Sequence, residues 1–302
     1  VSMFYHWGII QKVVGAFAWV LRKFMNISGS EGLVAAGNIF MGMTESPVLI
    51  KNYLPTMNRS EIFLVMVSGM GTIAGSVMGT YIGMLGGTDP AAKVLFATHL
   101  LSASVMAVPG SIVLAKMLCP QTEEATDHVA ISGKEKENSN ILDAISSGTV
   151  TGVKLMTNIA AMLLVFISLV ALANYITEGV IGRYTGLNDW IVKITDGKAQ
   201  GLTFQFILGV ITSPFMWLIG VPSQDIMLVG SLLGQKTILN EFVAYFQLQQ
   251  WKDAGLFMYE KSILMSTYIL CGFANISSIG ILLGGLGVLA LSLIHISEPT
   301  RP

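Results

Sequence analysis

The sequence predicts an all-α integral membrane protein built from inverted repeats, each with a re-entrant helical hairpin and a partly unwound transmembrane helix. Three observations predict it. Hydrophobic residues make up 53% of the 302-residue chain and charged residues 12%, with a mean hydropathy of +0.67; a soluble domain carries about 25% charge. Five runs lack Lys, Arg, Asp and Glu (62–88, 94–115, 155–177, 199–224 and 262–297), and each reaches the roughly 20 residues that a span needs. Finally, Glu45 and Glu241 each lie in an apolar stretch too short to cross a bilayer and followed by a helix that is long enough. A carboxylate at membrane depth costs several kcal/mol unless it faces a cavity or a partner, so such a residue marks a functional site.

The elements follow in order. Residues 3–25 are apolar at helical spacing but interrupted by Lys12, Arg22 and Lys23, the pattern of an interfacial helix. Ser28-Gly29-Ser30-Glu31 supplies capping residues for a new helix. Residues 33–43 extend only about 16 Å at 1.5 Å per residue, half way across; Gly42 and Pro47 bracket a turn, and 48–54 leads back out. This is the first hairpin. Residues 62–85 form a span with a soft centre, Gly69-Met70-Gly71-Thr72-Ile73-Ala74-Gly75-Ser76, where unwinding frees carbonyls at mid-depth; close packing through small residues explains the same composition. Residues 95–118 form a second span, expected to break at Val108-Pro109-Gly110. The first repeat is therefore placed at residues 1–119, and a charged linker follows at 120–140.

The second repeat, residues 141–290, follows the same plan. Residues 141–154 read as an interfacial helix leading into the span 155–176. An apolar stretch at 202–220 is interrupted by Ser213-Pro214. The second hairpin is expected at 226–233, with a turn at Gly234-Gln235-Lys236-Thr237 and a return through Glu241 to Phe246; Asp225 is expected to cap it. Residues 259–283 form the next span, polar at its centre: Gly272-Phe273-Ala274-Asn275-Ile276-Ser277-Ser278. The Lys/Arg bias of the loops is too weak to fix orientation. Two half-span acids in two similar halves point to a transporter.

The ends read differently. The chain opens on Val1 and is expected to be an internal fragment. Residues 291–302 resemble the translated read-through of a sequencing adapter and are expected to be a non-native tail without function. Net charge is −1, which gives no footprint for nucleic acid. Cys119 and Cys271 form no metal or redox spacing, and no cofactor is expected.

Four motifs in series, Gly42-Met43-Thr44-Glu45-Ser46-Pro47, Thr72-Ile73-Ala74-Gly75-Ser76-Val77, Asn240-Glu241-Phe242-Val243-Ala244-Tyr245 and Cys271-Gly272-Phe273-Ala274-Asn275-Ile276-Ser277-Ser278, resemble the concentrative nucleoside transporter family in its bacterial form. The resemblance runs over about residues 1–290 and implies an elevator-type transport domain inside a trimeric scaffold, most of which lies outside this chain. It implies a bacterial inner-membrane, multi-pass protein, a homotrimer when full length, with nucleoside, sodium and lipid as partners. It places Met43, Thr44 and Glu45 against the nucleobase with Val77 lining that pocket. It places Glu241, Asn275 and Ser278 on the ribose hydroxyls with Phe273 flanking the sugar. Asn38 and Thr72, with the carbonyls of Met41 and Ile73, match the sodium ligands. The family usually has Gln where this chain has Met43; a thioether lacks the amide's paired donor and acceptor, which bears on base selectivity.

The chemistry agrees with these roles. Sugar hydroxyls donate well to a carboxylate, an amide both donates and accepts, and a hard cation takes oxygen ligands, by analogy with calcium and magnesium. Blander readings stand beside them: a salt bridge from Glu241 to Lys236, a proton role for Glu45, helix–helix glue for Asn275, and a satisfied bundle histidine for His99. The leading function is sodium-driven nucleoside uptake. The alternatives are proton coupling on the same fold, a truncated fragment that does not transport, and a membrane-embedded acid/base enzyme.

Overall fold

The computed structural model describes residues 9–43, 45–122, 141–195, 199–276, 278–282 and 286. The linker beyond residue 122, Thr44 and the tail 291–302 lie outside the described residues. Every regular element among the described residues is helical. Among the described residues two segments are long and apolar enough to cross a membrane, Arg59–Gly86 and Pro90–Leu118.

The chain divides into two compact units. The first takes Val1–Gly83, Ala97–Val153 and Cys271–Pro302, the second Met84–Phe96 and Lys154–Leu270. In the first unit, α1 (Ile9–Met25) lays Val14 and Ala18 on the hairpin that follows it and leaves Phe17, Trp19 and Phe24 exposed beside Arg22 and Lys23. An apolar face flanked by basic residues suits a bilayer interface. The hairpin consists of α2 (Gly29–Gly37) and a 3₁₀ segment (Ser46–Thr56). Every residue of α2 is buried. The following helix is α3 (Arg59–Gly71), and after a break the chain resumes as α4 (Gly75–Gly86).

Both helix entries are set by capping boxes. Ser28 Oγ accepts from the Glu31 N–H at 3.3 Å while the Glu31 carboxylate accepts from the Ser28 N–H at 2.9 Å. Asn58 and Glu61 make the same exchange, each bond 3.0 Å. Each box satisfies two donors that a helix start leaves orphaned. Lys116, near the end of α5 (Pro90–Leu118), pairs with Glu31 and donates to Ser60 Oγ at 3.1 Å and Gln121 Oε1 at 2.9 Å. The buried acid is thus paired, as a charge away from water must be.

In the second unit, α8 (Phe204–Leu218) packs on α9 (Ile226–Ile238), α9 on α10 (Glu241–Asp253), and both on α11 (Glu260–Leu270). This is the packing order of α1, α2, the 3₁₀ segment and α3 in the first unit. Small residues let α8 and α9 touch closely: a Cβ at Gly234 would lie 2.6 Å from Leu208 Cβ, and one at Gly209 2.8 Å from the Met227 carbonyl oxygen. Between the linker and α8 run α6 (Ile141–Asn174), a π-helical segment (Tyr175–Gly182), one turn at Arg183–Thr185, and α7 (Leu187–Ile194).

Several expectations are corrected. Residues 141–154 are not a separate interfacial helix but the start of α6, and the helix that packs on the second hairpin is α8. Pro109 and Pro214 break nothing: α5 and α8 run through them. A proline removes one ladder bond, and nearby hydroxyls add others, Ser111 to the Ala107 carbonyl at 2.6 Å and Ser213 to the Gly209 carbonyl at 2.6 Å. Helices in apolar surroundings tolerate proline in this way. The second hairpin turns at Leu239-Asn240 rather than 234–237, because Gly234 continues the helix against Leu208 and the stop comes from Asn240, whose Oδ1 caps α10 through the Val243 N–H at 2.9 Å. Asp225 stands at the start of α9 but does not cap it with its side chain. Its two oxygens accept the N–H groups of Met258 and Tyr259 at 3.0 and 3.1 Å, pinning the loop before α11.

Candidate functional site

The site of the first unit forms where the hairpin tip meets the broken span. After α2 the chain turns at residues 38–43. Asn38 is fully buried, and both ends of its amide are engaged: Nδ2 donates to Ser68 Oγ at 3.0 Å, and Oδ1 accepts from the Ser46 hydroxyl. Thr72, in extended conformation just past α3, donates from Oγ1 to the Ser68 carbonyl at 3.1 Å. Ser68 therefore links Asn38 to Thr72. A second tie runs from the Gly75 N–H to the Phe40 carbonyl at 3.2 Å, across buried Ile73. Met41 is buried in the core that joins α1, α2 and the 3₁₀ segment. Asn38 and Thr72 are thus tied together through Ser68, and the chain next to Met41 meets the chain near Ile73 through the Phe40–Gly75 bond.

The Asn38–Ser68–Thr72 link brings amide, hydroxyl and carbonyl oxygens together. Among the described residues no group of three or more His, Cys, Asp and Glu could hold a metal ion. Neutral oxygen donors suit a hard cation, and the Asn38 amide oxygen, with one lone pair taken by Ser46, has a second to give.

Met43 is buried over Gly69, where a Cβ would lie 3.1 Å from Met43 Cβ. Gly42 faces Ala74. Glu45 is exposed, and its carboxylate lies 3.5 Å from the Gly42 N–H, beyond the range of a strong bond. Its carboxylate is therefore not buried in the apolar interior that its sequence context implies. Thr44 lies outside the described residues. Val77 is buried at the start of α4.

A second break joins the first. Gly272 has φ +143°, and a Cβ there would lie 2.8 Å from the Gly71 carbonyl oxygen. The Phe273 N–H donates to the Thr72 carbonyl at 3.3 Å, and the Asn275 N–H to the Phe273 carbonyl at 3.0 Å. Asn275 Oδ1 accepts from the Ser278 N–H at 2.8 Å, capping the helix that resumes at residue 276. Asn275 and Ser278 are buried and Phe273 is half-buried.

Glu241 belongs to the second unit. It is buried in the first turn of α10, where the helix dipole favours a carboxylate. In the same unit an open groove of about 370 Å³ is lined by Asn174, Tyr175, Glu178, Arg183 and Asn188 at the π-helical segment. Its two asparagines serve the backbone: Asn174 Oδ1 accepts from the Phe204 N–H at 2.7 Å and Asn188 Oδ1 from the Leu202 N–H at 2.9 Å.

Ser46, Ser68, Lys236 and Tyr245 carry contacts that sequence reasoning missed. For Ser68 the signal was its place four residues before Thr72, one helical turn away. Ser46 sits inside a motif read for its neighbours.

The chain is similar to known proteins over nearly all its length. Residues 99–293 match the family model described as Na+ dependent nucleoside transporter C-terminus, and residues 1–88 match one described as nucleoside recognition. An uncharacterized transporter of Haemophilus influenzae is 38% identical over 295 residues, covering 97% of this chain and 66% of that protein. Sodium/nucleoside cotransporter 2 of Rattus norvegicus is 38% identical over 299 residues, covering 94% of this chain and 42% of its own. The structure of CNTnw in an inward-facing substrate-bound state superposes with a TM-score of 0.81 at 35% identity, over 96% of this chain and 64% of that one. The chain spans about two thirds of the first and last of these proteins and under half of the second.

Proposed function

Because the chain belongs to the sodium-dependent nucleoside transporter family, we propose that it carries nucleosides across a membrane by symport with sodium. The matched relatives are transporters and not enzymes, so no acid/base chemistry is assigned to the glutamates. The observation that carries the reading is the Asn38–Ser68–Thr72 junction, where a hairpin tip and an unwound span present neutral oxygens together.

In this reading the Asn38 and Thr72 side chains and the carbonyls of Met41 and Ile73 hold the ion. A cation there braces the tip that carries Met43, Thr44 and Glu45 to the nucleobase beside Val77. Glu241, Asn275 and Ser278 take the ribose hydroxyls, with Phe273 against the sugar. A carboxylate accepting sugar hydroxyls makes charge-assisted bonds, the strong kind. The Asn275 amide, which accepts from the Ser278 N–H, can both donate to and accept from a sugar hydroxyl. Coupling follows from linkage: an ion that orders the tip raises nucleoside affinity, and the nucleoside raises ion affinity by the same factor.

The proposal extends to the whole protein. It comprises repeats at residues 1–119 and 141–290 joined by the linker 120–140, an elevator-type transport domain, a homotrimer, and a multi-pass location in a bacterial inner membrane. The test is uptake of labelled uridine and adenosine by the full-length protein, in sodium and with choline replacing it. Uptake lost in choline is expected. Uptake that persists in choline but collapses with the proton gradient moves the coupling role to the carboxylates.

A further inference from the structure

Lys236 is a buried charge outside the residues assigned above to the nucleoside and the ion. It lies in the last turn of α9 and is 5% exposed. Its ammonium donates to the carbonyl oxygen of Ile269 at 2.9 Å, in the last turn of α11. Beside it, the Tyr245 hydroxyl of α10 donates to the Thr267 carbonyl at 2.9 Å. The last four carbonyls of a helix have no partner within it and form the negative end of its dipole. The second hairpin therefore holds a fixed positive charge and a hydroxyl against the end of a span that stops at Leu270.

The first unit contains the corresponding junction. There the end of α2 meets the end of α3, with the same order of packed elements around them. What the hairpin brings is different. Asn38 brings a neutral amide to Ser68, and Thr72 turns a hydroxyl back on the same turn; oxygen ligands gather there without a charge. At the second junction the cation is covalently part of the chain. An ammonium and a sodium ion ask for the same surroundings, several oxygen acceptors.

We propose that Lys236 is a tethered cation that does at the second hairpin what the coupling sodium does at the first, so that the second half of the molecule takes no ion of its own. This inference rests on reading the first junction as the sodium site. A tethered charge is present at every salt concentration and adds no sodium dependence. Removing it takes the donor from the part-buried Ile269 carbonyl and leaves a cavity of ammonium size beside it, which a small free cation can fill.

The experiment compares the full-length protein with its Lys236→Ala, Lys236→Met and Lys236→Arg variants. The first readout is the melting temperature in detergent as choline chloride is replaced by methylammonium chloride at constant ionic strength. Methylammonium is expected to raise the melting temperature of Lys236→Ala by about 3 °C or more, and to leave the wild type, Lys236→Arg and the cavity-filling Lys236→Met unmoved. The second readout is the sodium dependence of uridine uptake. Lys236→Ala is expected to need roughly tenfold more sodium and to rise with a steeper sodium dependence than the wild type. If Lys236→Ala folds only when methylammonium is present during extraction, the proposal gains. A Lys236→Ala protein that methylammonium neither stabilises nor recovers, or whose sodium curve matches the wild type, overturns it. Melting requires no transport, so a failure of the nucleoside reading and a failure of this one register separately.

Discussion

The Phe273 N–H donates to the Thr72 carbonyl at 3.3 Å, joining the broken centres of two spans that are far apart in sequence. Gly272 makes the approach possible. Its φ of +143° favours glycine, and no Cβ intrudes on the Gly71 carbonyl.

Gly272→Ala is therefore expected to cost about 1–3 kcal/mol through backbone strain and to weaken both sodium and nucleoside binding by separating the breaks. Thermal melting and ligand titration check this. A variant with wild-type melting and wild-type affinities would show that the approach is dispensable.

Asn38→Ala leaves Ser46 and Ser68 without a shared partner in a fully buried place, each lost bond costing about 1–3 kcal/mol. The sodium concentration for half-maximal uptake is expected to rise about tenfold or more, an energy of about 1.4 kcal/mol, with a smaller rise for Thr72→Ala. A sodium titration of uptake decides it, and an unchanged half-saturation point would remove Asn38 from the ion site.

Glu241→Gln keeps the shape and removes the charge. Hydrogen bonds to a charged group are worth about 1.5–3 kcal/mol, so uptake is expected to be largely abolished. In the wild type, 2′-deoxy and 3′-deoxy nucleosides are expected to bind less well than their parents, since a site built for a hydroxyl penalises its absence. Full transport by the variant would sink the sugar role.

Met43→Gln restores an amide at the buried tip position over Gly69. The ratio of uridine to adenosine uptake is expected to shift more than the total rate. A proportional change for both substrates would show that this side chain does not read the base.

Much of this was legible in the sequence because apolar runs, caps and small-residue breaks are local signals. Ser28 with Glu31, and Gly71 through Ala74 at the centre of a span, announced the first hairpin and the first break. The readings that failed depended on neighbours. Gly234 resembles a turn residue until Leu208 is seen packed on it, and Pro109 and Pro214 resemble breakers until apolar surroundings and nearby hydroxyls keep the helices running. Asp225 resembles a cap, yet its partners lie more than thirty residues ahead at Met258 and Tyr259. The Asn38–Ser68–Thr72 junction required both the tip and the break to be placed, and no spacing rule links Asn38 to Ser68.

The capping boxes change how buried acids in this protein should be interrogated. Four carboxylates are buried among the described residues: Glu31, Glu61, Asp225 and Glu241. The first three hold backbone N–H groups. Alanine would damage all four and blur scaffold with transport, whereas an amide can still accept an N–H in a capping box. Glu61→Gln is thus expected to keep uptake near the wild-type level while Glu241→Gln loses it, as side-by-side uptake assays can check. Equal losses from both would mean that neither acid can be assigned by its chemistry, and that depth in the membrane is a poor guide to which charges move a solute.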